Sequence, residues 1–229
     1  MKTSEQKKLI LNVLRPFFKE HKIKGKNEWA LLYQFKYKHN TENILKGGIF
    51  FSNYEPPVFI PQLIICSVED IIWEIKFPNQ SFEDLKISDY PFGTLKNTGE
   101  FSRLIESKSF KFTDENSYKE FAYLIINYLQ KDTPKIIETY SYLPNVLKKM
   151  DELTAEGKTW QNKGRGILSG ALDAQFRGLI ISKLCNDPNF EEKIKMCNEI
   201  FSREQYKAWL PYYEKLKERL KSVEPKYNV

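Results

Sequence analysis

Cysteine and histidine are scarce in this chain of 229 residues, and their scarcity argues against several kinds of site. The 3 cysteines are Cys66, Cys185 and Cys197, and the 2 histidines are His21 and His39. The cysteines form no CxxC pair and each follows an apolar residue, so we expect small buried thiols. Two histidines without a cluster of partner ligands do not make a zinc site. The sequence therefore predicts neither a metal nor a cofactor.

Long apolar runs are also missing. The longest, such as residues 58–66, fall far short of the roughly 20 residues that a membrane-spanning helix needs. Residues 1–8 are charged and lack the apolar centre of a signal peptide. With 41% hydrophobic and 14% aromatic residues, the composition is typical of a globular fold. We therefore expect a soluble cytoplasmic protein.

The familiar catalytic motifs are absent as well: the chain contains no GxSxG, HExxH or GxGxxG pattern. Gly157-Lys158-Thr159 resembles the end of a phosphate-binding loop, but Glu152 stands where that motif needs its first glycine. Glu69 and Asp70 are adjacent carboxylates, which point apart on a strand. No catalytic residue is predicted, and an enzyme of unrecognised class stays open as an alternative.

The first 113 residues combine one helix with strand-like patterns. Residues 4–20 carry apolar side chains at helical spacing, and Pro16 is expected to bend or restart that helix. A basic turn is predicted at 22–27, and residues 78–109 are rich in loop-forming residues. Strand patterns occur at 29–38, 47–54, 62–66, 71–77 and 110–112.

Residues 114–229 have helical periodicity throughout. Ser117 with Glu120 forms a capping-box pattern, and Thr133-Pro134 and Asp187-Pro188 are typical helix starts. Helices are predicted over 118–131, 134–151, 167–185 and 190–201, with a last one opened by Ser202-x-x-Gln205 and bent at Pro211. The predicted class is α+β: an N-terminal helix, an antiparallel sheet of about four to five strands, then about five helices packed on it. The parts 1–113 and 114–229 are expected to pack as one domain.

Positive charge is concentrated near the N-terminus. The net charge is +6, and residues 1–60 hold eleven basic and five acidic side chains, which accounts for all of it. Such a stretch is either solvated or faces an anionic partner. A second basic group lies in the glycine-rich stretch 163–166, whose amides could hold an anion. The candidate binding residues are Lys22, Lys24, Lys26, Lys36, Lys38, Lys46, Lys163 and Arg165.

Arginine and aromatic residues bear on the choice of partner. Only six of the 36 basic residues are arginine, whereas nucleic-acid readers favour its planar fork. Aromatic residues lie beside the lysines and could stack on bases, but a sheet needs such a face for its core. We assign this set to the core: Tyr33, Phe35, Tyr37, Phe50, Phe51 and Tyr54.

Three short patterns resemble a known family. Leu11-x-x-Leu14-x-Pro16-Phe17-Phe18, Lys24-Gly25-Lys26-Asn27-x-Trp29, and Ser109-Phe110-Lys111-Phe112 before Pro134 are similar to an uncharacterised bacterial domain family. The resemblance implies a helix, an antiparallel meander and trailing helices, and brings no catalytic residues. Some such domains accompany toxin systems, which implies an immunity or partner-binding role.

The sequence therefore predicts a non-catalytic protein that binds another macromolecule, foremost a protein. Nucleic-acid binding through residues 1–60 is the alternative.

Overall fold

The computed structural model describes residues 2–29, 31–38, 42–76, 93–96, 111–161 and 166–229. It has an N-terminal helix, a five-stranded antiparallel sheet and further helices, which confirms the α+β prediction. Two compact units are present: unit 1 comprises residues 1–63 and 96–139, and unit 2 comprises 64–95 and 140–229. The units alternate along the chain, whereas the sequence analysis divides it at residue 113. Among the described helices, none combines the length and apolar character that a membrane crossing requires.

The first helix, α1, spans Thr3–Glu20 and closely matches its prediction. Its buried side chains include Ile10, Leu14 and Phe18, which recur at helical spacing. The helix is not restarted at Pro16, because that residue lies on the exposed side. There the loss of one backbone hydrogen bond leaves the carbonyl of Asn12 to water rather than to the core.

The sheet is built from short strands in sequential order, β1 to β5. They are β1 (Lys24–Trp29), β2 (Leu32–Lys38), β3 (Asn43–Phe50), β4 (Val58–Ile65) and β5 (Leu95–Lys96). The turn predicted at 22–27 is wrong after Lys22, because β1 begins at Lys24, whereas the strand predicted at 29–38 is confirmed over Leu32–Lys38. The chain reverses after Trp29, which pairs with Leu32, so two strands replace one. Because no Asn-Gly or Gly-Gly pair marks this hairpin in the sequence, the alternating pattern predicted one continuous strand instead of two.

Of the strand predicted at 71–77, residues 71–75 are instead helical, and Phe77 lies outside the described residues. Helix α2 spans Cys66–Ile75 and buries Val68, Ile71, Ile72 and Ile75, a helical spacing. β-branched isoleucines favour strands locally, and burial overrides that preference here. The strand predicted at 110–112 is also wrong for its described part, since Lys111 and Phe112 have no regular structure. Most of the predicted loop at 78–109 lies outside the described residues.

A line of aromatic rings forms the centre of unit 1. Ring centroids of Phe18 and Phe35 are 4.7 Å apart, those of Phe35 and Phe59 are 5.9 Å apart, and those of Phe59 and Tyr128 are 5.8 Å apart. These separations are typical of favourable aromatic pairs. The line joins α1, β2 and β4 to the helical segment that contains Tyr128.

That helical segment runs through a widened turn. Helix α3 (Glu115–Asn127) is followed by a π-helical turn (Tyr128–Asp132) and by α4 (Thr133–Tyr140). Asp114 caps α3 by accepting a hydrogen bond of 2.9 Å from the Ser117 amide. Helix α4 begins at Thr133, but Thr133 is not the predicted N-cap, because it already has helical dihedral angles. Pro134 comes two residues after the π turn. In a regular α-helix its ring would clash with the preceding turn, and the π turn avoids this clash.

Unit 2 is organised around one enclosed helix. Its helices after α2 are α5 (Leu143–Ala155), α6 (Asp173–Leu184), α7 (Phe190–Phe201) and α8 (Leu210–Lys221), with a 3-10 turn at Glu204–Trp209. Almost every residue of α6 is buried, so α6 is the core of the unit. The α7 prediction is confirmed at both ends. The helix predicted at 167–185 begins only at Asp173, and Pro211 lies in the first turn of α8 rather than at a bend.

Candidate binding surface and buried ionic centre

Three of the candidate lysines lie in one row across the sheet. Lys24 on β1 is paired with Lys36 on β2, and Lys36 is paired with Lys46 on β3. Residues paired in this way share a face, and neighbouring strands are about 4.8 Å apart. Like charges so close are unfavourable unless anionic groups compensate them. We call this side of the sheet, with Lys24, Lys26, Lys36, Lys46 and Phe50, the lysine face.

Exposure differs along the row. Lys24 is exposed, Lys36 is half-buried, and Lys46 is only 7% exposed. Lys22 and Lys26 are exposed next to Lys24, so accessible charge lies at the β1 side. Lys26, Lys36 and Lys46 also have interactions within the chain. The accessible part of the predicted site is therefore smaller than the sequence suggested.

Three predicted binding residues remain, namely Lys38, Lys163 and Arg165. Lys38 is the last residue of β2 and is paired with Ile44 on β3. Lys163 and Arg165 lie outside the described residues.

The opposite side of the sheet is the core side. Phe35 is 1% exposed, and Leu45 and Ile49 are also buried there. The ring of Phe35 lies over Gly47, where an added Cβ would clash with it. The prediction that the strand aromatics form the core is confirmed for Phe35 and Phe51.

For two other aromatic residues the core prediction is wrong. Phe50 is 39% exposed and Tyr54 is 96% exposed. Phe50 shares its face with Lys46 because the two are four positions apart on β3. Leu31, 47% exposed, lies at the same end of the sheet, where its carbonyl accepts a hydrogen bond from the Phe51 amide. The lysine face thus ends in exposed apolar side chains.

Unit 2 contains a buried ionic centre that the sequence did not indicate. The side chain of Arg177 is completely buried. Its Nε and Nη2 each donate to a carboxylate oxygen of Glu69 at 2.8 Å. Nη1 donates to Asp173 and, at 3.1 Å, to the Ser169 carbonyl. Thr94 completes the group by donating to Glu69 at 2.8 Å.

The polar contacts described for this centre are all internal. Burial alone would lower the pKa of Arg177, but the charges and hydrogen bonds of Glu69 and Asp173 raise it instead. Asp173 also accepts a hydrogen bond of 2.7 Å from the Ala171 amide. The donors and acceptors of the centre are buried and hydrogen-bonded to one another. The centre therefore links α6 to α2 and to the loop before α6.

A second buried ionic cluster ties α7 to the end of α6. Asp187 accepts hydrogen bonds from Ser182, from Lys193 and, at 2.9 Å, from the Asn189 amide. Lys193 also pairs with Asp151 at 2.6 Å. Burial would raise the pKa of Asp187, but these hydrogen bonds and the charge of Lys193 lower it overall. The carboxylate therefore acts as a fixed anion that holds two helices together.

The cysteines are free thiols, as predicted. Burial raises the pKa of Cys185 and of Cys197 to about 12, so neither is a thiolate near neutral pH. Cys66 is half-buried at the start of α2. Within the described ranges, no three side chains of histidine, cysteine, aspartate or glutamate gather closely enough to hold a metal ion.

Sequence reasoning found the lysines but missed the ionic centre. Glu69 and Arg177 are 108 positions apart, and no local motif links them. One available signal was the spacing of Val68, Ile71 and Ile72, which would have placed Glu69 on a helix.

Comparisons with protein-family models, with curated proteins and with solved structures gave no match. The similarity of the opening residues to a bacterial domain family therefore stays a prediction.

Proposed function

We propose that this protein acts by binding another protein, one with an acidic contact surface, through the lysine face. The observation that carries the proposal is the register of Lys24, Lys36 and Lys46, which puts three lysines in one row. An acidic surface placed at the exposed end of this row would lie opposite Lys24 and the neighbouring Lys22 and Lys26. Charge complementarity of this kind also speeds association and selects the partner.

The exposed apolar residues beside the lysines support a protein partner. Phe50 and Leu31 are large, exposed and at one end of the lysine face. Protein interfaces combine aromatic and aliphatic anchors with a charged rim. The three free cysteines fit a reducing compartment, so the proposal places this binding in the cytoplasm.

Nucleic-acid binding is the second candidate, because the same lysine row suits a phosphate backbone. Binders of single strands add aromatic rings on which bases stack. Here Phe35 is buried under the sheet and Tyr33 lies on that same core side, away from the lysines. Phe50 does share the lysine face, but no second ring lies there among the strand residues whose side chains the structure describes, so a row of stacking platforms is missing, which favours the protein partner.

Charge reversal tests the proposal. The tagged wild-type chain is compared with the double variant Lys24→Glu/Lys26→Glu in pulldowns from nuclease-treated extract of the source cells. The matched control is Lys131→Glu/Lys135→Glu, which makes the same charge change at exposed positions of unit 1. We expect one protein to be recovered with the wild type and the control, and its recovery to fall by roughly tenfold or more with the lysine-face variant.

Equal recovery with all three chains would contradict the proposal. No protein recovered from the nuclease-treated extract, together with RNA or DNA affinity that falls steeply with salt, would favour the second candidate.

A further inference from the structure

Exposed apolar side chains are concentrated at one end of the sheet. Among the described residues, eight large hydrophobic side chains are exposed, and four of them lie at this end. Leu31 lies in the turn between β1 and β2. Phe50 ends β3, Val58 begins β4, and Tyr54 lies in the loop between these two strands. Because consecutive antiparallel strands place the end of one beside the start of the next, the four residues lie at the same end of the sheet, which we call the apolar end.

The loop that carries Tyr54 is held in place by side chains. The Oγ of Ser52 accepts hydrogen bonds from the amide of Tyr54 at 3.1 Å and from the next amide at 3.2 Å. Asn53 accepts a hydrogen bond from the Thr3 hydroxyl of α1, and Pro57 is buried. A side chain that is 96% exposed on such a fixed turn costs little backbone entropy when a partner covers it. Aromatic residues of this kind are typical anchors of protein interfaces.

The apolar end continues the lysine face. The ring of Phe59 is stacked on that of Phe35, which places Phe59 on the core side. Neighbouring residues of a strand point to opposite faces, so Val58 lies on the lysine face. Phe50 lies on the same face. The exposed apolar residues of β3 and β4 therefore present one surface together with the lysines.

The size of this surface suits a protein. Phe50 is paired with Leu32, and the lysine row crosses β2 at Lys36, four positions further along. At about 3.3 Å for each residue, roughly 13 Å separates the row from the apolar end. A typical protein contact of about 800 Å² on each partner covers both places. The partner's matching surface then has acidic residues on one side and an apolar residue on the other.

We propose that the apolar end retains the partner, through a large apolar side chain that lies beside the partner's acidic contact residues. The inference rests on the proposed function and specifies the contact. The exposed Lys22 and Lys24 attract the acidic residues and speed association, whereas the covered apolar end slows dissociation. A second copy of this chain fits poorly as the occupant, because a symmetric dimer would place two lysine faces together.

Measured association and dissociation rates test the inference. The probe is the purified protein that the wild-type chain recovers in the pulldown, and its binding is followed by biolayer interferometry. The variant Tyr54→Ser/Val58→Thr removes apolar character at two exposed positions and keeps the branched shape at position 58. We expect its dissociation rate to rise by at least roughly tenfold, and its association rate to change by less than roughly threefold. The control, Tyr123→Ser, removes an exposed aromatic ring from α3 and should match the wild type.

Two further measurements separate the lysines from the apolar end. Lys24→Glu/Lys26→Glu should show the opposite pattern, with slower association that depends on salt and a smaller change in dissociation. In the partner, amide hydrogen exchange should slow on binding in a segment where a large apolar residue lies beside aspartate or glutamate. A protected segment without such an apolar residue would overturn the inference.

Equal dissociation rates for the wild type and Tyr54→Ser/Val58→Thr would also overturn it. The proposed function would then stand, because Lys24→Glu/Lys26→Glu would still slow association. A dimer of the free chain that sedimentation detects, and that Tyr54→Ser/Val58→Thr abolishes, would assign the apolar end to a second copy and overturn the inference. Recovery of no protein, or recovery that is insensitive to Lys24→Glu/Lys26→Glu, would remove the proposed function itself and this inference with it.

Discussion

Arg177 and Glu69 form a buried ion pair with two hydrogen bonds of 2.8 Å, although 108 positions separate them in the chain. A bidentate pair of this kind fixes the relative orientation of its two helices, here α6 and α2. Removing one partner would leave the other charged and buried inside unit 2, which is strongly destabilising.

Replacing Arg177 with methionine is expected to cost about 3 to 5 kcal/mol of unfolding free energy, because two buried carboxylates lose their counter-charge. Urea denaturation followed by circular dichroism measures it. The control is Glu152→Gln, which breaks the exposed pair with Lys149 at 2.9 Å and should cost less than about 1 kcal/mol. A cost for Arg177→Met as small as the control's would show that the centre contributes nothing to packing.

The close contact between Phe35 and Gly47 gives a second prediction. Gly47→Ala should destabilise the protein by about 1 to 3 kcal/mol, because the new methyl group would displace the ring of Phe35 from the core. The neighbouring Gly48→Ala is the control, since its added Cβ would meet Phe50 at an ordinary 3.4 Å. The melting temperatures of both variants are measured by thermal unfolding, and that of Gly47→Ala should be the lower. Equal melting temperatures would contradict the packing described for the core side.

Asp187 makes the stability of unit 2 depend on pH. The hydrogen bonds from Lys193, Ser182 and the Asn189 amide lower its pKa in the folded state. Its contribution is therefore complete above the unfolded pKa of about 3.9 and is lost as the pH falls through the lower folded value. We expect Asp187→Asn to flatten the fall of the melting temperature between about pH 5 and pH 2.

The control for this pH profile is Asp132→Asn, because the described part of the chain shows no ion pair for Asp132. Its profile should match that of the wild type. An unchanged slope in Asp187→Asn would mean that the hydrogen-bonded anion does not contribute to acid sensitivity.

Thiol reactivity checks the cysteine environments. At pH 8, a disulfide reagent should modify at most Cys66 quickly in the native protein, since burial raises the pKa of Cys185 and Cys197 to about 12. Cys66→Ser should abolish the fast reaction, and all three thiols of the wild type should react in denaturant. Fast native labelling of Cys185 or Cys197 would contradict the described packing.

Local periodicity was sufficient to predict those elements that bury the side chains of one face. Helix α7 was predicted at both ends because a Pro188 start and a regular apolar stripe agree. The core side of β2 was predicted from the alternation at Tyr33 and Phe35 for the same reason.

The errors arose where long-range packing overrides local preference. Helix α2 is rich in isoleucine and was predicted as a strand, and the turn after Trp29 has no glycine to mark it. The lysine row depends on the register of two hairpins, and the ionic centre depends on the meeting of Glu69 with Arg177. Neither property is local, so a single sequence does not display it.

The accessible lysines give the most direct test of the central claim, that the lysine face binds an acidic protein. Acetylation by an amine-reactive reagent, followed by mass spectrometry, compares the free chain with the chain bound to its recovered partner. We expect the reactivity of Lys22, Lys24 and Lys26 to fall by roughly tenfold on binding, while Lys131 and Lys135 stay unchanged. Unchanged reactivity at Lys22, Lys24 and Lys26 in the bound state, with protection elsewhere, would contradict the claim.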